Sequence, residues 1–227
     1  WLGVPEEERE RVTDWIFPLV SGRGVVRDVA TVTAANGATT ELRAYFGQLV
    51  EQRRLHPAAD LISQLLTAQA KCPSLLTDDV LFALIVAVFA GGHTPGIALI
   101  STTLLALLRS PDQLARLQAD PSLLPAAIEE GLRFNSPTQA PNPLVALEDI
   151  VIGKKTMRKG DVVTVILSAA NRDPEVFHDP DRFDMGRMPN RHLAFSAGAH
   201  YCLGAMMTRL EAQSILTPFI HRFRDLR

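Results

Sequence analysis

Residues 195–204 read FSAGAHYCLG and contain Cys202, one of two cysteines in a chain of 227 residues. Gly198 and Gly204 stand on either side of it, with Phe195 upstream and His200 two positions before. The residues after Cys202 are expected to open a helix, and a helix N-terminus with its free N–H groups favours a thiolate over a thiol. A thiolate is a soft, strongly donating metal ligand. The glycines let backbone pass close to a flat partner, Phe195 can cover the sulfur, and His200 can hydrogen-bond an anionic group on that partner. A tetrahedral zinc site needs about four ligands at close spacing, whereas Cys72 is remote and no CxxC pair occurs. A single cysteine reads first as a small buried hydrophobe, and from the cysteine alone that reading leads.

Working outward, the chain reads as mainly α with a small antiparallel β-sheet. Pro5 and three glutamates suit the start of a helix carrying Val12, Trp15, Ile16 and Leu19 at helical spacing. A loop rich in Gly, Thr and Ala is expected next, then amphipathic helices from Thr39 to about Arg54 and from Asp60 to Ala70. Thr77 is a candidate N-cap for a long apolar helix ending at Ser110 and Pro111. Being apolar nearly all round, that helix belongs in a core, yet Gly91 to Gly96 at its centre holds three glycines, a histidine, a threonine and a proline. Helices over Pro111–Ala119 and Ser122–Phe134 follow, then β-branched runs between turns, an irregular meander rich in Pro, Asp and Arg, and a last helix to about Phe223.

The chain is 47% apolar and 21% charged, and its 23 basic and 25 acidic side chains leave a net charge of −2. Such a balance supplies no electrostatic footprint for nucleic acid. No apolar run is expected to be long and uncharged enough to span a bilayer. Two cysteines make no disulfide framework, and a reducing cytoplasm is the default location. No repeat or linker divides residues 1–227, so one domain is expected. The absence of an initial Met and a pattern that continues to Arg227 point to part of a longer protein.

The spacing FxxGxxxCxG, carried by Phe195, Gly198, Cys202 and Gly204, resembles the haem-ligand loop of the cytochrome P450 family. EEGLRFNSP resembles that family's ExxR helix, with Glu130 and Arg133 one turn apart, and FHDPDRF resembles its meander, whose Arg182 would close a Glu-Arg-Arg cluster. The resemblance runs in family order along the whole chain and covers the later half of the fold, from the F helix to the L helix. It implies a soluble, bacterial-type haem-thiolate monooxygenase. Haem b would be the cofactor, with Cys202 as axial iron ligand and Phe195, Gly198, His200, Gly204, Gly91 and Gly92 against it. A small organic substrate, a ferredoxin with its reductase, and the missing N-terminal half of the protein would be its partners. Arg187 and Arg191 are candidates for a redox-partner patch, although solvated arginines account for them more simply.

The long helix resembles the family's I helix, whose AGxET-like motif supplies an acid and an alcohol for proton delivery during O–O cleavage. An ungapped count places Gly91, Gly92, His93, Thr94 and Pro95 on those five positions, so that Thr94 replaces the acid and Pro95 the alcohol. A one-residue shift would instead put His93 on the acid and Thr94 on the alcohol, but it rotates all that follows by about 100°. Either way His93 and Thr94 are the candidate catalytic residues. Peroxide-dependent oxidation and a non-catalytic role as a stabilising partner remain the alternatives. Leu144 stands where many bacterial members carry a propionate-binding arginine, leaving His200 and, more weakly, His192 to anchor haem; Asn142 would line the substrate cavity.

Overall fold

The computed structural model describes residues 1–22 and 28–222. The chain divides into two compact units, Trp1–Thr94 and Pro95–Arg227.

In the first unit a 3₁₀ turn at Glu6–Glu8 leads into α1 (Arg9–Thr13) and α2 (Ile16–Ser21), followed by α3 (Val29–Leu55), α4 (Leu61–Lys71) and the first part of α5 (Asp78–Leu108). Leu42, Phe46, Ile62, Leu81 and Ile85 form its core, so α3, α4 and α5 each bury the apolar stripe that the spacing predicts. Asp60 caps α4 by accepting from the Ser63 N–H at 2.9 Å, and it also accepts from Arg53 Nε. Residues 23–27 of the expected Gly/Thr/Ala loop lie outside the described residues, and its later part, from Val29, is helix instead. α3 starts at Val29, where the Asp28 carboxylate accepts from the Thr31 N–H at 2.7 Å. The hydroxyls of Thr33, Thr39 and Thr40 each donate to the carbonyl four residues back. That first stretch is mostly exposed and buries no apolar stripe, so periodicity could not reveal it.

The second unit takes the rest of α5, then α6 (Pro111–Ala119), a 3₁₀ turn at Pro121–Leu123, α7 (Leu124–Phe134), the short α8 (Leu167–Ala170) and α9 (Ala205–Arg222). Phe223, the expected end of the last helix, lies outside the described residues. Leu99, Leu107, Leu117, Ile128, Leu132, Phe183 and Leu216 make the core, with α7 packed on α9. The expected small antiparallel β structure is formed, among the described residues, by two pairs: β1 (Leu144–Val145) with β4 (Val162–Val163), and β2 (Ile150–Ile152) with β3 (Lys155–Met157). Ile150 faces Met157 and Ile152 faces Lys155, across a turn in which Gly153 adopts φ +59°. From Asn171 to Gly204 the chain is almost wholly irregular, with a 3₁₀ turn at Gly198–His200.

α5 also overturns the expectation about bilayer-spanning runs. By length and composition it is apolar enough to cross a membrane, because Gly91–Gly96 does not interrupt the helix and its only charged side chains are Asp78 and Asp79. Its buried positions serve as core in both units, Ile85 in the first and Leu99 and Leu107 in the second.

Candidate functional site

α7 carries a fully buried ion pair. Glu130 and Arg133 are one turn apart and both side chains are 0% exposed. Arg133 Nε donates to Glu130 Oε2 at 2.8 Å and Nη2 to Oε1 at 2.7 Å, a bidentate fork. The other guanidinium N–H groups reach the carbonyls of Asn171 at 2.9 Å, Pro180 at 2.8 Å and Arg182 at 3.1 Å. Every donor of the buried cation is therefore used, the condition under which such a charge survives desolvation. Glu130 accepts further from the Asp184 N–H, Arg187 Nε and Asn190 Nδ2, at 3.0, 3.2 and 3.2 Å.

The second arginine of this cluster is Arg187 and not Arg182, contrary to the sequence expectation. Phe183 is buried, and Arg182 turns its side chain to solvent, giving only its carbonyl to Arg133 and Arg187. The turn closed by the Arg187 N–H on the Asp184 carbonyl brings Arg187 back to Glu130. Arg187 is thus spent internally, donating also to the carbonyls of His178 and Asp179, and leaves the candidate redox-partner patch; Arg191 stays exposed.

The irregular chain held by this cluster leads directly into the cysteine loop. Asn171, fully buried, accepts from the Leu193 N–H at 2.6 Å and donates to Ser136 Oγ at 2.7 Å. Phe195 is buried and its carbonyl accepts from the Cys202 N–H at 2.9 Å, closing the loop. Within it Ser196 and Gly198 have φ +62° and +70°, and the side of Gly198 where a Cβ would project is open. A side chain at that φ would be strained as well as placed in that opening. Cys202 is a free, exposed thiol three residues before α9, and a Cβ at Gly204 would stand 3.9 Å from its sulfur. His200 is exposed.

A second polar group lies beneath the loop, and the sequence reading missed two of its members. Arg209 Nε and Nη2 donate to Glu129 Oε1 and Oε2 at 2.6 and 2.9 Å. His192 Nδ1 accepts from the Ala194 N–H at 3.2 Å, so its proton resides on Nε2, 3.0 Å from Glu129 Oε2. With both ring nitrogens engaged and its side chain 4% exposed, His192 braces the loop rather than reaching for a propionate. Burial would raise the Glu129 pKa, but the hydrogen bonds from Arg209 and His192 outweigh it and hold the carboxyl at about 2. The same pairing raises the Arg209 pKa. Only the doubled glutamate of EEGLRF and the arginine one turn into α9 could have signalled this group.

Phe195, Gly198, His200, Cys202 and Gly204 are therefore brought into one loop, and Glu130 and Arg133 into the cluster that anchors its approach. Gly91, Gly92, His93 and Thr94 lie on α5 in the first unit, where Gly91, Gly92 and Thr94 are exposed. Among the described residues no three His, Cys, Asp or Glu side chains converge to hold a bare metal ion. A single exposed thiol beside an open glycine instead suits a metal whose other ligands arrive with it in a flat macrocycle. The chain fits haem on that ground.

Residues 33–225 match the sequence model of the cytochrome P450 family. The chain is 40% identical over 225 residues to the biotin biosynthesis cytochrome P450 of Bacillus subtilis, which covers 99% of this chain and 56% of that protein. It is 37% identical over 228 residues to nocardicin C N-oxygenase of Nocardia uniformis, covering 100% of this chain and 55% of the relative. Among solved structures, P450BioI in complex with an acyl carrier protein bearing hexadec-9Z-enoic acid superposes with a TM-score of 0.91 at 40% identity, covering 97% of this chain and 56% of that one. Mycobacterium smegmatis CYP164A2 with econazole bound gives 0.92 at 36% identity, over 98% and 56%. The chain thus spans about half the length of the relatives it matches. Members of their family bind haem b, and sequence, fold and cysteine loop together place this chain in the cytochrome P450 family.

Proposed function

We propose that Cys202 is the thiolate ligand of a haem b and that the protein to which this chain belongs is a cytoplasmic monooxygenase acting on a small organic substrate. The observation that carries this reading is the free, exposed Cys202 just before α9, in a loop closed on the Phe195 carbonyl. Bound haem would supply oxidation of an unactivated carbon or heteroatom, with the thiolate donating electron density to the iron. Phe195 would pack beside the sulfur, Gly198 and Gly204 would admit the ring system, and His200 would face a propionate. Gly91 and Gly92 would be haem-binding residues on the resemblance of α5 to the family's I helix alone. Glu130, Arg133 and Arg187 would keep the approach to the loop rigid without touching the reactants.

On the same resemblance of α5, His93 and Thr94 would be the groups that hold or pass a proton, and Pro95 could do neither. Two electrons would come from a separate ferredoxin and reductase. A reduced-plus-carbon-monoxide difference spectrum is expected to show the red-shifted Soret band of a thiolate-ligated haem, and C202S is expected to abolish it. A spectrum without that band, together with a melting temperature unmoved by haemin, would retire the haem reading.

Pro95 at the ungapped alcohol position also favours a second reading, in which peroxide replaces dioxygen and electrons. Turnover with peroxide but none with ferredoxin, reductase and NADPH would establish it.

A further inference from the structure

α7 directs two adjacent carboxylates to different parts of the chain, since consecutive helical residues diverge by about 100°. Glu130 is consumed by Arg133, Arg187 and the meander. Glu129 leaves that cluster and grips the chain on both sides of Cys202, His192 before it and Arg209 after it. The Arg209 guanidinium lies 4.6 Å from the centroid of the Phe195 ring. The rings of His192 and Tyr201 stand 6.2 and 6.3 Å from the same ring. Phe195 is in turn the residue whose carbonyl holds the Cys202 N–H. A single carboxylate is therefore bonded to two of the three groups that bear on the ring closing the cysteine loop.

We propose that Glu129 is a positioning residue for the Cys202 thiol: by clamping Arg209 and His192 it fixes the Phe195 ring and the Phe195–Cys202 turn, and so sets the direction in which the sulfur is presented. Only the last step, presentation to iron, rests on the haem reading above. The ordering of the loop needs no haem. E129Q preserves shape but removes the charge that Arg209 forks onto. R209K preserves a charge but loses the planar fork and the stack on Phe195.

The test has two arms, both on the intact chain. Without haem, amide hydrogen exchange at Cys202 is expected to accelerate about tenfold in E129Q and in R209K, as a local opening. The Leu114 amide of α6, bonded to the Ser110 carbonyl, should be unaffected. With haem, both variants are expected to lose part of the red-shifted carbon monoxide band. Unchanged exchange at Cys202 in both variants overturns the proposal, and so does equal acceleration at Leu114, which would mean general loosening. Accelerated exchange at Cys202 in a protein whose wild type never shows the thiolate band would leave the positioning role standing and remove the haem reading. Should E129Q fail to fold, R209K carries both arms.

Discussion

At the scale of single residues, α7 separates two kinds of ion pair. Glu130 and Arg133 are wholly excluded from water, so each depends on the other for solvation. E130A leaves a buried guanidinium short of its main partner and is expected to cost about 3–5 kcal/mol of stability, read from urea denaturation. R187A removes the second cation and should cost about 1–3 kcal/mol, whereas R182A, at an exposed position, should stay within about 0.5 kcal/mol. That ordering tests the assignment of Arg187 directly. Glu129 and Arg209 differ in kind, their side chains being 33% and 30% exposed. The Glu129 pKa is lowered from 4.5 to about 2, so its contribution to stability is complete above the ordinary value and drains away as pH falls towards 2. The difference in melting temperature between wild type and E129Q should therefore be constant near neutrality and shrink through that acidic interval.

At the scale of elements, the contact between α5 and α7 rests on one missing side chain. A Cβ at Gly131 would run into the Thr103 hydroxyl, itself buried and without a hydrogen-bond partner. G131A is expected to destabilise by about 1–3 kcal/mol through overpacking. T103A makes room and removes the unsatisfied hydroxyl, so the double variant should recover most of that loss in a denaturant cycle. α3 shows the opposite economy. Its first turns bury almost nothing, and the Asp28 cap and threonine back-bonds carry them. α9 buries Ala205, Ala212, Leu216 and Ile220 while Leu203, just before it, and Met206 and Leu210 in its first turns stay exposed.

At the scale of the whole molecule, that exposed face matters because Leu203 alone is 97% accessible and the strands β1, β2 and β4 are mostly bare as well. Apolar patches of this extent bind dyes and neighbours. The chain is expected to bind an apolar fluorescent dye strongly in its native state. Haem that binds only the folded form at about a hundred times its Kd should add about 2.7 kcal/mol. A rise in melting temperature with haemin, absent in C202S, would show this. Equal shifts in both proteins would mean that the haem binds elsewhere.

The cysteine loop, the Glu130–Arg133 pair and the order of the main helices were legible in the sequence because each is local. A cysteine among glycines, an i,i+3 pair and a 3.6-residue apolar stripe are properties of neighbouring positions. The start of α3, the identity of the second arginine and the Glu129–His192–Arg209 group were not legible, for a shared reason. Whether Arg182 or Arg187 meets Glu130 depends on a turn that folds the meander back, and Glu129 meets Arg209 only when α7 packs on α9. The sequence by itself determined which residues could be candidates for a metal ligand and which charged pair stands one helical turn apart. Tertiary structure alone decided which distant partners the charged side chains found, because a hydrogen bond between residues distant in sequence exists only once packing has brought donor and acceptor within 3 Å or so.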